Sequence, residues 1–230
     1  MTTDPGGEAI PAPAGPGGEA VPATAGQWAA ARRHLRAADP LLAELIDADP
    51  EFDPAAWMEQ LPPLSVFGAL VFQVLGQQLS VAATRGMLAR LQEHFGGHIP
   101  EPVDILGSSV EELRTLGLSR RKGATLIAAA TAFTDGTVTE DGLRAMTDEE
   151  VMATLTAIPG IGPWTVQGLL IIALGRTDVV LPGDLALRKA IQRVYGLDHL
   201  PTEPEVLAIA EQWRPYRSLA TGYLFNSAFG

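Results

Sequence analysis

The chain has 230 residues, a formal net charge of −11 and a hydrophobic fraction of 47%, which suits one domain or two small lobes with a buried core. It contains no cysteine, which excludes disulfides, zinc–thiolate sites and iron–sulfur clusters, and its four histidines lack the spacing of metal ligands. No apolar run reaches the roughly eighteen residues of a membrane-spanning helix, so we expect no membrane association.

Residues 1–26 are rich in proline, glycine and alanine and contain few large apolar side chains. Such a segment buries too little surface to offset the entropy lost on ordering, so we predict a disordered tail over these residues. It also lacks the basic region and apolar stretch of a secretory signal. We therefore expect a cytoplasmic protein, associated with the nucleoid if its source is bacterial.

From Gln27 onward the apolar residues follow helical spacing, and no stretch sustains the alternation of a strand. Glycine, proline and aspartate separate the helical segments, and several segments begin at a serine or threonine that suits a helix cap. The predicted helices are, in chain order, 27–38, 40–46, 54–60, 65–75, 80–95, 109–116, 121–134, 148–157, 163–174, 184–195, 203–213 and 218–228. The pattern predicts an all-α fold.

The most specific segment is 155–165, with the sequence LTAIPGIGPWT. Pro159 and Gly160 stop the preceding helix, because proline lacks a donor and glycine accepts positive φ. Gly162 allows close backbone approach, and Pro163 suits the first position of the next helix. The loop then presents bare N–H groups at a helix N-terminus, where an anion such as phosphate is favoured.

A second motif, 181–184, has the sequence LPGD and ends in an isolated carboxylate. Taken alone, this motif predicts that Asp184 caps the following helix. The glycine-containing hairpin, taken alone, is typical of an ordinary turn between two helices. Together and in this order, the two motifs resemble those of the helix-hairpin-helix superfamily of base-excision DNA glycosylases.

This resemblance covers nearly all of the chain after residue 26. It implies two helical lobes with the active cleft between them. The middle lobe would be formed by about 71–182, with the hairpin at 148–174, and the second lobe by about 27–70 and 184–230. The resemblance also implies a monomer that acts on double-stranded DNA with a damaged base, without a cofactor or iron–sulfur cluster.

Within the resemblance, Asp184 is the expected catalytic residue. Breaking an N-glycosidic bond builds positive charge on the sugar, and a carboxylate beside the anomeric carbon stabilises that charge and can orient or deprotonate the attacking water. One aspartate suffices when the leaving base is already cationic, as an alkylated purine is. Capping and catalysis are compatible roles, since a helix N-terminus favours a nearby negative charge.

Trp164 narrows the expected chemistry. Glycosylases that also cleave the strand carry a lysine at this place, whose amine forms a Schiff base. Tryptophan offers no amine, so the resemblance implies a monofunctional enzyme in which the indole stacks on a flipped cationic base. The alternative is a core tryptophan that fills the helix junction.

Two other positions of the implied base pocket depart from the family pattern. Tyr216 stands where a second tryptophan is usual, and Gly168 stands where some relatives have an aromatic residue. These departures leave the breadth of substrates open, without changing the class of reaction.

The resemblance also implies a set of DNA contacts. In the loop 75–80, Gln78 or Leu79 would fill the space left by the flipped base, and Gln77 would contact the orphaned base or the backbone; the alternative is a plain helix start capped by Ser80. A basic turn at 116–122 contributes Lys122, unless it is simply solvated. The full set of implied DNA-binding residues is Gln77, Gln78, Leu79, Ser80, Lys122, Pro159, Gly160, Ile161, Gly162 and Thr165.

No metal is required by this interpretation. A structural sodium or potassium ion at the carbonyls of Thr156, Ile158 and Gly160 is an optional feature carried over from the family.

The resemblance implies a glycosylase of the 3-methyladenine glycosylase II type, which removes alkylated purines from duplex DNA and leaves an abasic site in base excision repair. One alternative is the same fold acting on a deaminated purine or uracil, and another is a non-catalytic DNA-binding protein. The net charge of −11 weakens an argument from binding alone, although basic residues cluster locally. We expect modest affinity for DNA, with strong dependence of that affinity on salt concentration.

Overall fold

The computed structural model describes residues 25–54 and 61–229, and all regular structure in these ranges is helical. The all-α prediction is thereby confirmed. The predicted disordered tail lies outside the described residues except for Ala25 and Gly26, which already belong to a helix. The predicted helix 54–60 also lies outside them, except for Pro54. No helix within the described ranges combines the length and apolarity needed to cross a membrane.

The helices of these ranges follow one another closely along the chain. They are α1 Ala25–Ala38, α2 Pro40–Ala48, α3 Val66–Gly76, α4 Val81–His94, α5 Pro102–Leu106, α6 Val110–Thr115, α7 Arg120–Thr134, α8 Glu140–Ala145, α9 Asp148–Thr156, α10 Pro163–Ile172, α11 Leu185–Val194, α12 Glu203–Ala210 and α13 Arg217–Phe229, with a 3₁₀ turn at Glu211–Trp213.

Two of these helices, α5 and α8, were not predicted. They have five and six residues, which is too short for an apolar period to show. Their starts are nevertheless marked by local bonds: the Thr139 hydroxyl accepts from the N–H of Gly142, and a capping box opens α5. The predicted helix 203–213 ends at Ala210 and continues as the 3₁₀ turn.

The chain divides into two compact units, which we call the hairpin unit (described residues 61–174) and the terminal unit (25–54 and 175–229). These bounds differ from the expected lobes, whose divisions lay near 70 and 183. Residues 66–70 belong to the hairpin unit because α3 begins at Val66 and packs against α4, α7 and α10 of that unit.

The hairpin unit is organised around α3. Every residue from Val66 to Leu75 is buried, as expected for a helix that is apolar on all sides. The helices α4, α7 and α10 surround it, α9 packs on α10, and α5 and α6 pack on α7. The hairpin formed by α9 and α10 is therefore supported directly by the central helix.

The terminal unit is organised around Asp39, whose exposed fraction is only 2%. One carboxylate oxygen accepts two backbone N–H groups of the first turn of α2. The other accepts from Trp213 Nε1 at 2.9 Å, from Gln212 Nε2 at 3.0 Å and from the Tyr195 hydroxyl. Burial and the neighbouring carboxylate raise the pKa of the Tyr195 phenol. This carboxylate thus joins three separate elements.

Replacing Asp39 by alanine should lower the free energy of unfolding by roughly 3 kcal/mol or more, because several buried donors lose their acceptor together. Chemical denaturation followed by circular dichroism measures the change. Asp47→Ala is the matched control, since Asp47 pairs with Arg36 at an exposed position and should cost less than about 1 kcal/mol. Equal effects of the two substitutions would contradict the central role of Asp39.

Candidate functional site

The turn between α9 and α10 depends on Gly160. Its φ is +89°, in the left-handed region, and a Cβ placed on it would lie 1.9 Å from Thr125 Oγ1 of α7. Two independent reasons therefore require glycine here: the backbone conformation and the close approach of α7. The positive φ was predicted, whereas the contact with Thr125 was not.

Gly162 has a different environment. It is the N-cap residue of α10, its φ is −109°, and a Cβ placed on it would meet nothing within 4 Å. Without a side chain it makes no capping hydrogen bond to the first turn of α10. The hairpin thus presents a helix N-terminus next to open space, an arrangement suited to the close approach of an anion.

The remaining hairpin residues divide into surface and interior. Pro159 is exposed, whereas Ile161 and Thr165 have exposed fractions of 5% and 1%. The N–H of Ile161 donates to Ile158 O at 3.1 Å, within the turn itself. The contact of Ile161 and Thr165 with DNA stays a prediction. Their side chains are buried and support the loop from inside.

Gln77 connects the hairpin with the end of α3. Its Nε2 donates to Gly160 O at 3.2 Å and to Thr165 Oγ1 at 3.1 Å. The contact of Gln77 with DNA stays a prediction. In the structure the donors of its amide bind the hairpin, so that Gln77 positions the loop that follows α3 relative to the turn at Gly160.

The next residues of this loop point outward. Gln78 is exposed and adopts φ +60°, a conformation that non-glycine residues rarely adopt. Leu79 has an exposed fraction of 41%. Ser80 is also exposed, and its hydroxyl accepts from the N–H of Ala83 at 3.3 Å, capping α4. A strained turn thus presents Gln78 and Leu79 at the surface. A side chain that enters a base stack must be exposed in this way.

Lys122 lies beneath the same loop. Its Nζ donates to Leu75 O at 2.7 Å, and burial lowers the pKa of its ammonium group. A cation on the last carbonyls of a helix is favourable. The contact of Lys122 with DNA stays a prediction; in the structure its ammonium group stabilises the end of α3, where the loop 77–80 begins.

Trp164 lies in the first turn of α10 and is partly exposed. Its Cη2 is 3.9 Å from the position that a Cβ on Gly76 would occupy, so the indole lies against the end of α3. Gly168, one turn further along α10, is buried. A Cβ on it would lie 2.5 Å from Nε2 of Gln73, a residue that the sequence analysis did not single out.

Asp184 belongs to the terminal unit. The motif 181–184 forms a turn in which the N–H of Asp184 donates to Leu181 O at 3.0 Å. The Oδ1 of Asp184 then accepts from the N–H of Leu187 at 2.9 Å, which caps α11. The predicted cap is confirmed, and the turn fixes a partly exposed carboxylate at a helix N-terminus.

The start of α13 holds the chain that leads to this turn. Arg217 Nε donates to Asp178 Oδ1 at 2.6 Å, and the Ser218 hydroxyl accepts from the N–H of Val179 at 3.0 Å. These contacts join segments far apart in the sequence, and no local pattern announces them. They anchor the irregular segment immediately before Leu181.

Tyr216, the third expected pocket residue, is buried in the terminal unit with an exposed fraction of 9%. Its ring makes an edge contact with His34 at a centroid distance of 5.4 Å. Burial raises the pKa of its phenol, and the charge of Arg33 opposes this shift.

Two of the three carbonyls proposed for a monovalent cation already accept hydrogen bonds. Gly160 O accepts from Gln77, and Ile158 O accepts from Ile161. Because a carbonyl oxygen has two lone pairs, these bonds are compatible with a hard cation at the same atoms. Among the described residues, no group of three or more His, Asp or Glu side chains is placed to hold a metal ion.

Comparison with known proteins places these features in one family. Residues 71–215 match the model described as HhH-GPD superfamily base excision DNA repair protein, a span that includes the loop 77–80, the hairpin and Asp184. The chain belongs to this superfamily.

Two curated relatives and one solved structure illustrate the similarity. DNA-3-methyladenine glycosylase 1 of Schizosaccharomyces pombe is 32% identical over 200 residues, which are 86% of each chain. YfjP of Bacillus subtilis is 34% identical over 169 residues, 71% of this chain but only 59% of that protein. The structure of Schizosaccharomyces pombe 3-methyladenine DNA glycosylase in complex with abasic DNA aligns with a TM-score of 0.80 and 30% identity, covering 87% of this chain and 97% of that chain.

The two hairpin glycines should respond differently to alanine. Gly160→Ala should lower the free energy of unfolding by about 2–4 kcal/mol, because it combines a left-handed backbone with a clash against Thr125. Gly162→Ala should change it by less than about 1 kcal/mol, since its Cβ would enter open space. Denaturant unfolding of both variants measures the difference.

A second substitution tests the cause of this effect. Adding Thr125→Ala to Gly160→Ala should recover part of the lost stability, because it removes the clashing hydroxyl. If Gly160→Ala alone were as stable as Gly162→Ala, the close approach of α7 would be refuted.

Proposed function

We propose that this protein is a monofunctional DNA glycosylase that hydrolyses the N-glycosidic bond of alkylated purines, 3-methyladenine among them, in duplex DNA and leaves an abasic site for base excision repair. The observation that carries the proposal is the Asp184 carboxylate, fixed at the N-terminus of α11 in a chain of the HhH-GPD superfamily. The names of the relatives support the substrate class.

Asp184 has the chemistry that this reaction needs. As the bond between C1′ and the base nitrogen breaks, the base takes the bonding electrons and the sugar develops positive charge. The carboxylate stabilises that charge, and water then adds to C1′ and transfers its proton to the carboxylate. The bond from Leu187 N–H to Oδ1 fixes the side-chain orientation, so little reorganisation is required during the reaction.

Trp164 supports both the substrate class and the absence of strand cleavage. An electron-rich indole stacks favourably on a cationic purine, and its partial exposure leaves ring surface accessible. It offers no amine for a Schiff base, so the sugar remains attached to both phosphates after the base has left.

DNA would be held by the hairpin and the loop 77–80. The N-terminus of α10 beside Gly162 offers backbone donors to a phosphate, and the outward Gln78 and Leu79 are suited to fill the space of a flipped nucleotide. With an overall charge of −11, binding relies on these local features rather than on a broad basic surface.

Asp184→Asn should reduce the rate of base release from alkylated duplex DNA by about a hundredfold or more, because it removes the negative charge. Asparagine caps helices as well as aspartate does, so α11 and DNA binding should be preserved. Chromatography of the released bases measures the rate, and Asp198→Asn, at an exposed side chain, is the control with an unchanged rate.

Two outcomes would contradict this proposal at different levels. Equal rates for Asp184→Asn and the wild type would refute the role of the carboxylate. No release by the wild type from alkylated, deaminated or uracil-containing duplexes would refute the enzymatic function and favour a DNA-binding protein without catalysis.

The DNA strand itself should stay intact. After incubation with a damaged duplex, a denaturing gel should show cleavage only when alkali or heat has been added. The reason is that position 164 carries a tryptophan, which has no amine to form a Schiff base. Efficient nicking at neutral pH, together with a protein–DNA adduct trapped by borohydride, would contradict monofunctional chemistry.

A further inference from the structure

The buried helix α3 contains one polar side chain between Val66 and Leu75, that of Gln73. Its exposed fraction is 8%. Among the described residues none forms a hydrogen bond with its carboxamide. Its Oε1 and Nε2 are nevertheless not among the enclosed polar atoms that lack a partner, so they reach the surface. The carboxamide is therefore available to water or to a bound ligand.

Gly168 makes room for this carboxamide. A Cβ on Gly168 would lie 2.5 Å from Nε2, 2.6 Å from Cδ and 2.6 Å from Oε1 of Gln73. The carboxamide therefore lies directly against the backbone of Gly168, in space that the side chain of a larger residue at this position of α10 would fill.

The carboxamide lies beside the expected stacking surface. Trp164 and Gly168 are one turn apart on α10, and Gln73 and Gly76 are one turn apart on the facing side of α3. The indole of Trp164 lies against Gly76, and the amide of Gln73 lies against Gly168. A purine stacked on Trp164 would thus have the Gln73 amide next to its edge.

A carboxamide presents one acceptor beside one donor, and this pair is complementary to adenine. The 6-amino group of adenine donates, and the adjacent ring nitrogen accepts, as in the pairing of glutamine or asparagine with adenine in DNA recognition. We propose that Gln73 is a base-contacting specificity residue that binds the flipped adenine adduct, its Oε1 accepting from the 6-amino group and its Nε2 donating to the adjacent ring nitrogen. This inference rests on the proposed function and assigns to the enzyme a preference for adenine adducts.

A double-mutant cycle tests this contact through binding, independently of turnover. One duplex contains 3-deaza-3-methyladenine, a stable neutral analogue that keeps the 6-amino group, and a second contains the same analogue without that amine. Each is titrated against the wild type, Gln73→Leu and Gln73→Met by fluorescence anisotropy. Gln92→Leu, a half-buried glutamine on α4, is the matched control.

Loss of the amine should weaken binding to the wild type and to Gln92→Leu by about tenfold or more, but should leave binding to both Gln73 variants unchanged. Equal weakening in all four proteins would overturn the contact, because the amine would then be bound by another group. If the Gln73 variants do not fold, the wild type alone decides: equal affinity for the two analogues would refute the contact between Gln73 and the amine. A wild type that binds neither analogue more tightly than undamaged duplex would refute the proposed function itself.

Discussion

The amide of Gln77 is the interaction on which the candidate DNA-binding surface depends. By donating to Gly160 O and Thr165 Oγ1, it ties the end of α3 to both sides of the hairpin turn. Lys122 stabilises the preceding carbonyl of Leu75 from α7. The loop that presents Gln78 and the turn that presents Gly162 are consequently parts of one hydrogen-bonded cluster.

This cluster explains how an acidic chain can be suited to bind DNA. Its donors toward a phosphate are backbone N–H groups at a helix N-terminus, which remain available whatever the net charge of the protein. The lysine nearest the loop is committed to Leu75 O. Affinity would then come from a few fixed dipoles and an inserted side chain, rather than from a broad basic surface.

Local chemistry made part of this site predictable. The positive φ of Gly160 and the cap formed by Asp184 follow from residues within a few positions of each, and the structure has both. The partners of Gln77 and Lys122 depend on tertiary packing, which brings together residues more than forty positions apart. The short helices α5 and α8 escaped prediction because they contain too few residues to show a period.

A single-turnover assay of the wild-type protein shows whether the chain releases a damaged base from DNA. The substrate is a duplex with 3-methyladenine at one position and normal adenines elsewhere, and mass spectrometry follows the free bases. We expect release of 3-methyladenine with an equal amount of abasic sites, while adenine is retained. Tight binding of this duplex without release of any base would refute the proposed activity.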